Sequence, residues 1–266
     1  MAGALIVVRG SGDVGSAVAH RLFKAGFQVL IHDAPAPAAP RRGMAFTNAL
    51  FEGSCALEDV TAQRLDDLRL VDGALMAHEI LPVVVSDFDA LIYHLEPQIL
   101  VDARMRKRVH PEPQLDFAPL TIGLGPNFIA GRNVHWVVET QWGEHLGTVL
   151  CEGGTMELEG EPRSFSGHAR DRFVHSPYAG RFSTTKKIGE EVECGQIVAW
   201  IDEIALQAPL AGILRGLVHD GAHVTEGAKV VEIDPRGDRR TVFGIGERPG
   251  RIADGVLDAI KEWTAT

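Results

Sequence analysis

Ala4-Leu-Ile-Val-Val-Arg-Gly-Ser-Gly-Asp-Val-Gly15 decides how the first third of the chain is read. Residues 4–9 are an apolar, β-branched run of the kind that fills a strand buried on both faces of a parallel sheet. Gly10, Gly12 and Gly15 follow at once. Gly10 permits a tight turn, Gly12 lets backbone approach a pyrophosphate, and Gly15 lets the next helix pack close to the strand. Residues 16–25 are helix-prone and Gly26 is placed to cap them. Residues 27–32 read as a second strand. Asp33 closes it, 18 residues beyond Gly15. A carboxylate at that spacing holds ribose hydroxyls and repels a 2′-phosphate, which favours NAD over NADP.

Strand, glycine turn, helix, second strand and acid together predict a Rossmann-type nucleotide-binding domain over residues 1–105. Its expected cofactor contacts are Gly10, Ser11, Gly12, Asp13, Val14, Gly15 and Asp33. Asp13 puts negative charge beside the phosphates, so it is read as a cofactor neighbour or as a helix cap. The proline-rich stretch 34–42 is a loop and 43–51 a short helix. Strand candidates at 81–85 and 98–102 flank a helical stretch at 87–95, which extends the pattern into a doubly wound parallel sheet. Asp102 stands just past a strand end, either as a ligand contact or as a strand-terminating turn residue.

Residues 175–202 and 207–234 align without gaps at an offset of 32, with identities at nine of 28 positions, among them Gly180/Gly212, Gly189/Gly221 and Asp202/Asp234. That is a duplicated unit of short strands and glycine turns. It resembles the biotinyl/lipoyl carrier fold, which implies a barrel-sandwich hybrid over 166–236. The join between the halves carries no lysine to modify, so a scaffold, docking surface or oligomer contact is expected instead of a swinging arm.

Between these parts, 106–165 reads as mainly β. His135, Glu139, His145 and Glu152 are its candidate catalytic residues, of types that bind a metal or move protons. Their bland reading is hydrogen-bonded or solvated strand residues. No HxH or HExxH spacing exists, so no metal site is predicted. Cys151 reads as a reactive thiol or, more simply, as a packing residue. Residues 237–266 end in an amphipathic helix.

The 266 residues are 45% hydrophobic and 23% charged, enough for a buried core, with a net charge of −10. Nucleic acid and anionic membranes are poor partners for so acidic a chain. The run 104–108 is its local basic exception. No stretch reaches the roughly 20 apolar residues of a membrane span. Three scattered cysteines form no CxxC pair, which suits a reducing cytoplasm.

Taken together, the Gly-Ser-Gly-Asp-Val-Gly turn, Leu100-Val-Asp-Ala-Arg104, Ile122 to Gly131, Val138-Glu-Thr140, His145-Leu-Gly147 and the lysine-free repeat resemble the accessory proteins of selenium-dependent molybdenum hydroxylase systems. The resemblance implies a maturation factor with a molybdenum hydroxylase as client and, as its ligand, NAD(H) or the dinucleotide form of the molybdenum cofactor. A homo-oligomer is compatible with it. It transfers no catalytic residue. An NAD-dependent oxidoreductase and a non-catalytic nucleotide-responsive module are the competing expectations.

Overall fold

The computed structural model describes residues 3–106, 109–157 and 163–265; Lys107 and Arg108 of the basic run lie outside them. Its elements are β1 (Leu5–Arg9), α1 (Asp13–Lys24), β2 (Gln28–His32), α2 (Asn48–Glu52), β3 (Ser54–Leu57), β4 (Val60–Leu65), α3 (Leu68–Ala77), β5 (Leu81–Val84), α4 (Phe88–Leu95), β6 (Ile99–Asp102), β7 (Leu120–Leu124), β8 (Ile129–Ala130), β9 (Trp136–Val138), β10 (Val149–Leu150), β11 (Gly153–Gly154), β12 (Phe173–His175), β13 (Gly180–Ser183), β14 (Glu191–Val192), β15 (Ile197–Ile201), β16 (Ile204–Gln207), β17 (Gly212–Leu217), β18 (His223–Val224), β19 (Lys229–Asp234) and α5 (Glu247–Ala265).

Nine strands form one sheet in the order β10-β9-β7-β6-β1-β2-β5-β4-β3. The seven inner strands run parallel. The two edge strands are antiparallel to their neighbours. At the β3 edge the cause is a tight turn through Glu58, held at φ 51, since so short a link joins strands only antiparallel. Successive strands step outward from β1 in one direction through β2 and β5, then in the other through β6 and β7. The reversal leaves a crevice at the carboxyl ends of β1 and β6, the place where open α/β sheets receive ligands.

Helices cover both faces. On one, α1 buries Val14, Ala17, Val18 and Leu22 at helical spacing. Across it lies α5, whose buried stripe Ile252, Ala253, Val256, Ala259 and Ile260 belongs to the same core. On the other face, Val71 and Leu75 of α3 and Leu91 and Leu95 of α4 close a second core over Val7, Leu30 and Leu100.

The C-terminal strands form two four-stranded antiparallel sheets, β12-β19-β17-β14 and β16-β15-β13-β18. They enclose a core of Phe182, Val198, Ile201, Leu214, Leu217, Val230 and Ile233. They are keyed into the large sheet's body: the Leu217 amide donates to the Pro40 carbonyl at 2.7 Å, and Arg42 Nε donates to the Leu217 carbonyl at 2.7 Å.

The expected fold class is therefore corrected. The architecture is an α/β fold with a large mixed sheet plus antiparallel sheets. It is neither a wholly parallel Rossmann-type doubly wound sheet nor a chain ending in a duplicated biotinyl/lipoyl-type barrel-sandwich module. The glycine-turn spacing that suggested a carrier serves any pair of short antiparallel sheets, and here those sheets are docked on the first part of the chain through residues 40–42. Among the described residues, no helix is long and apolar enough to cross a membrane.

Candidate functional site

The glycine turn is built for two different reasons at its three glycines. Gly10 holds φ +105, and a Cβ there would meet Ala103 backbone at 3.0 Å. A Cβ on Gly15 would stand 1.9 Å from the Gly10 carbonyl oxygen. Both positions need glycine for the turn and α1 to pack this closely on β1. Position 12 does not: its φ of −66 suits any residue, and a Cβ there would meet nothing within 4 Å. Gly12 is the N-cap of α1 and supplies no side-chain cap. The first helical amides, of Asp13, Val14 and Gly15, have no intrahelical acceptor, and the helix dipole adds positive potential there. An uncapped amino end with open space before it has the donors and the potential that anions favour.

Ser11 and Asp33 brace this turn. The amide and hydroxyl of Ser11 donate to Asp33 Oδ2 at 2.6 and 2.7 Å, and Ala34 N donates to Asp33 Oδ1 at 2.7 Å. The Ser11 carbonyl accepts from Thr47 Oγ1 and Ser16 Oγ. The carboxylate expected on a ribose thus spends both oxygens on the loop. Val14 is buried in the core. Asp13 is matched by Arg41, whose Nη1 lies 2.9 Å from Asp13 Oδ2. Burial alone would raise the Asp13 pKa, but the Arg41 guanidinium overcomes it and holds the group below the ordinary range. The remaining face of Arg41 grips Glu232 of β19 at 2.9 and 3.1 Å.

Beside the turn, a crevice of about 430 Å³ opens between the ends of β1, β2, β5 and β6, lined by Arg9, His32, Asp33, Pro35, Ser86 and Arg104 among others. Arg9 is 7% exposed. Its guanidinium lies 3.6 Å over the Phe88 ring, and Nη1 pairs with Glu112 at 2.7 Å. Arg9 Nε and Ser86 Oγ are buried without a hydrogen-bond partner, which costs roughly 1–3 kcal/mol for each such group. Asp102 is 1% exposed and accepts from Arg104 and, at 2.7 Å, from Gln114 Nε2. It positions Arg104 rather than reaching the crevice. Burial would raise the Glu112 carboxyl, yet its own amide and Arg104, Arg106 and Arg9 hold it well below the usual carboxylate range. His32 is kept neutral-leaning by burial and touches the Ser86 carbonyl oxygen at 2.9 Å through Nε2.

The four candidate catalytic residues do not form a constellation. His135 Nδ1 accepts from the Thr121 amide at 3.0 Å. Glu139, 3% exposed, accepts from the amides of Thr140, Gln141 and Met156, each at 2.7 Å. His145 and Glu152 are exposed. Cys151 is exposed with its thiol pKa pushed up, by burial first and by Glu262 and Glu152 next, so it is not an activated nucleophile. Among the described residues, one grouping has metal-ligand geometry, His20, Glu58 and Asp59, but Lys24 Nζ already sits 2.5 Å from Asp59.

Sequence reasoning missed Arg9, His32, Ser86, Arg104 and Arg41. One signal was available: Arg9 is a lone charge ending an apolar strand, directly before the glycine turn. Arg41, in a proline-rich loop, gave none.

No family model matches the chain. It is similar to the uncharacterized protein YqeB of Escherichia coli (strain K12), 38% identical over 256 residues that cover 96% of this chain and 47% of that protein. The chain thus spans about half the length of that curated relative. Among solved structures, a succinylglutamate desuccinylase/aspartoacylase from Rhodobacter sphaeroides matches 25% of this chain and 22% of its own at 27% identity and a TM-score of 0.23. An aspartoacylase family protein from Mesorhizobium loti matches 88% and 85% at 12% identity and a TM-score of 0.26. The product-bound ectoine utilization protein EutE from Ruegeria pomeroyi matches 87% and 85% at 13% and 0.26. At such TM-scores the superpositions carry no argument about this site. Nothing in these similarities points to a molybdenum hydroxylase accessory family. That expected membership is corrected, and with it the maturation and selenium roles and the NAD-dependent oxidoreductase alternative.

Proposed function

We propose that the chain binds a nucleotide through its phosphates, at the amino end of α1 and in the crevice beside it, with NAD(H) as the ligand to test first. The observation that carries this reading is Gly12. It is a glycine that neither its backbone angles nor its surroundings require, set where a side chain would fill the space before three unpaired helical amides. Arg9 Nε and Ser86 Oγ support it, as buried polar atoms that a ligand in the crevice would satisfy. Asp33 serves this function indirectly: by fixing Ser11 it presets the turn, so that little ordering is left for the ligand to supply.

The test is calorimetric titration of NAD, NADH, CTP and molybdenum-cofactor dinucleotide into the wild type and Gly12→Val. Binding of one of them by the wild type alone is the expected result. A wild type that binds none, or a variant that binds as well, overturns the proposal.

A further inference from the structure

Side chains alternate along β1. Val8 packs into the core it shares with α1, and Val7 into the core under α3 and α4. Arg9, the last residue of the strand, therefore takes the α4 face. Its guanidinium lies over the ring of Phe88, the first residue of that helix. The crevice lined by Arg9 thus belongs to the face of the sheet opposite α1.

What Arg9 still offers can be read from its bonds. Nη1 donates to Glu112 Oε1 at 2.7 Å. Nε is buried without a partner, and Nη2, which has none among the described residues, is not buried. Nε and Nη2 form one edge of the planar guanidinium, with parallel N–H bonds that match the two oxygens of a carboxylate. This chain uses that edge repeatedly: Arg41 turns it on Glu232, Arg104 on Asp102 and Arg236 on Asp234. In Arg9, more than nine-tenths buried, the same edge meets no carboxylate of the described residues.

The surroundings favour one further negative charge. Three guanidiniums, of Arg9, Arg104 and Arg106, share two carboxylates, of Asp102 and Glu112. Asp33 also lines the crevice, but Ser11 and the Ala34 amide satisfy its oxygens. Burial and then the charge of Arg104 hold the Arg9 pKa below its ordinary value, a strain that an added anion offsets. The remaining walls are partly apolar, from Ala34, Pro35 and Val85, and Ser86 Oγ is a second buried polar atom without a partner. A volume of about 430 Å³ suits a small molecule.

We infer that this crevice binds a small organic carboxylate, gripped by the Nε–Nη2 edge of Arg9, with its apolar body against Ala34, Pro35 and Val85. The inference shares the crevice with the nucleotide-binding reading but needs nothing from the amino end of α1. A carboxylate fits better than a phosphate because it is planar and brings a single charge, the one that the arginines leave unmatched.

The experiment titrates benzoate, its neutral isostere benzamide, inorganic phosphate and NAD into the wild type. Binding is read by calorimetry and by the NMR signal of the Arg9 Nε–H, identified by its contacts with the Phe88 ring protons. Benzoate should shift that signal and bind at least about tenfold more tightly than benzamide. Arg9→Gln should abolish the difference between the two, and Gly12→Val should preserve it. Where Arg9→Gln does not fold, the wild-type Nε–H signal decides alone. Benzoate that binds no better than benzamide, or that leaves the signal unmoved, overturns the inference, as does phosphate binding as tightly as benzoate. Benzoate binding in a wild type that takes up no NAD upholds the inference, and the nucleotide reading falls alone. NAD binding without benzoate binding overturns the inference and leaves that reading standing.

Discussion

Gly12 and Gly15 lie three residues apart in one turn, and the structure gives them opposite roles that a pair of substitutions separates. In Gly15→Ala the new methyl would begin 1.9 Å from the Gly10 carbonyl oxygen and 3.3 Å from the Ala103 side chain. The overlap is with backbone, so α1 must shift from β1. Overpacking of this kind costs roughly 1–3 kcal/mol, and contact so far inside normal limits belongs at the upper end. For a chain of this size that is on the order of 5–10 °C in the melting temperature. In Gly12→Ser the backbone angles are already those of an N-cap and the new atoms enter open space. The hydroxyl can accept from one of the unpaired helical amides, for a gain of a few tenths of a kcal/mol. The same hydroxyl occupies the place of a phosphate oxygen. Losing two charge-assisted hydrogen bonds there would weaken a phosphate ligand by about a hundredfold or more. Scanning calorimetry with and without NAD, next to isothermal titration, reads both quantities. Gly15→Ala should melt early. Gly12→Ser should melt no earlier than wild type and show no ligand shift. If Gly12→Ser were destabilised as much as Gly15→Ala, Gly12 would be a structural glycine and the central observation would be lost.

Glu232 is fully buried and faces Arg41, Arg172 and Arg215, so Glu232→Gln leaves buried guanidinium groups uncompensated and should cost roughly 3–5 kcal/mol in urea unfolding; a loss below about 1 kcal/mol would contradict the arrangement. Asp102, Glu112, Glu232 and Asp234 all sit below their ordinary pKa values in the folded chain despite burial, because arginines face them. A depressed carboxylate contributes stability above its unfolded pKa and loses it as pH falls through the folded one. His32 and His135, depressed by burial, act in the same direction from about pH 6.5 downward. Urea midpoints should therefore decline gently below about pH 6.5 and steeply below about pH 4.5, and equal midpoints at pH 3.5 and 7.5 would refute this account. Ellman's reagent at pH 8 should label Cys151 and Cys194, which are exposed, and reach Cys55, its thiol pushed up to about 11 by burial, only after denaturation. His145→Ala and Glu152→Ala should leave nucleotide affinity unchanged, since neither side chain approaches the crevice.

Local signals in the sequence located what local forces determine. Strands at Leu5–Arg9, Gln28–His32, Leu81–Val84 and Ile99–Asp102 and the helix Phe88–Leu95, capped by Asp87 on the Ala90 amide, fall where the apolar runs and turn residues put them. The hairpin of β3 and β4 was missed although β4 alternates, with Val60 and Ala62 buried and Thr61 and Gln63 exposed; its partner β3 is only four residues long and mostly exposed, too short to carry a pattern of its own. The glycine turn was found, but the partners of its charges were not. Arg41 lies 191 residues from Glu232, and Arg248 lies 108 from Thr140. Periodicity carries no trace of such pairings. The cluster of His135, Glu139, His145 and Glu152 failed for a related reason: neighbours along a strand and its loop point to different faces, and hydrogen bonding to Thr121 and to backbone amides had already claimed two of them.

The Arg41–Glu232 contact also sets an order of events during synthesis. Arg41 emerges from the ribosome with Asp13 already made, yet its second partner belongs to β19, nearly two hundred residues later, and α1 waits longer still for α5, which shares its core. A nascent chain halted after β7 would carry a complete glycine turn on a helix with an uncovered apolar side and an arginine half engaged. Ligand affinity should therefore mature late, after the C-terminal helix docks. The glycine turn, although it is made well before β19 and α5, becomes fit for use only after both have docked.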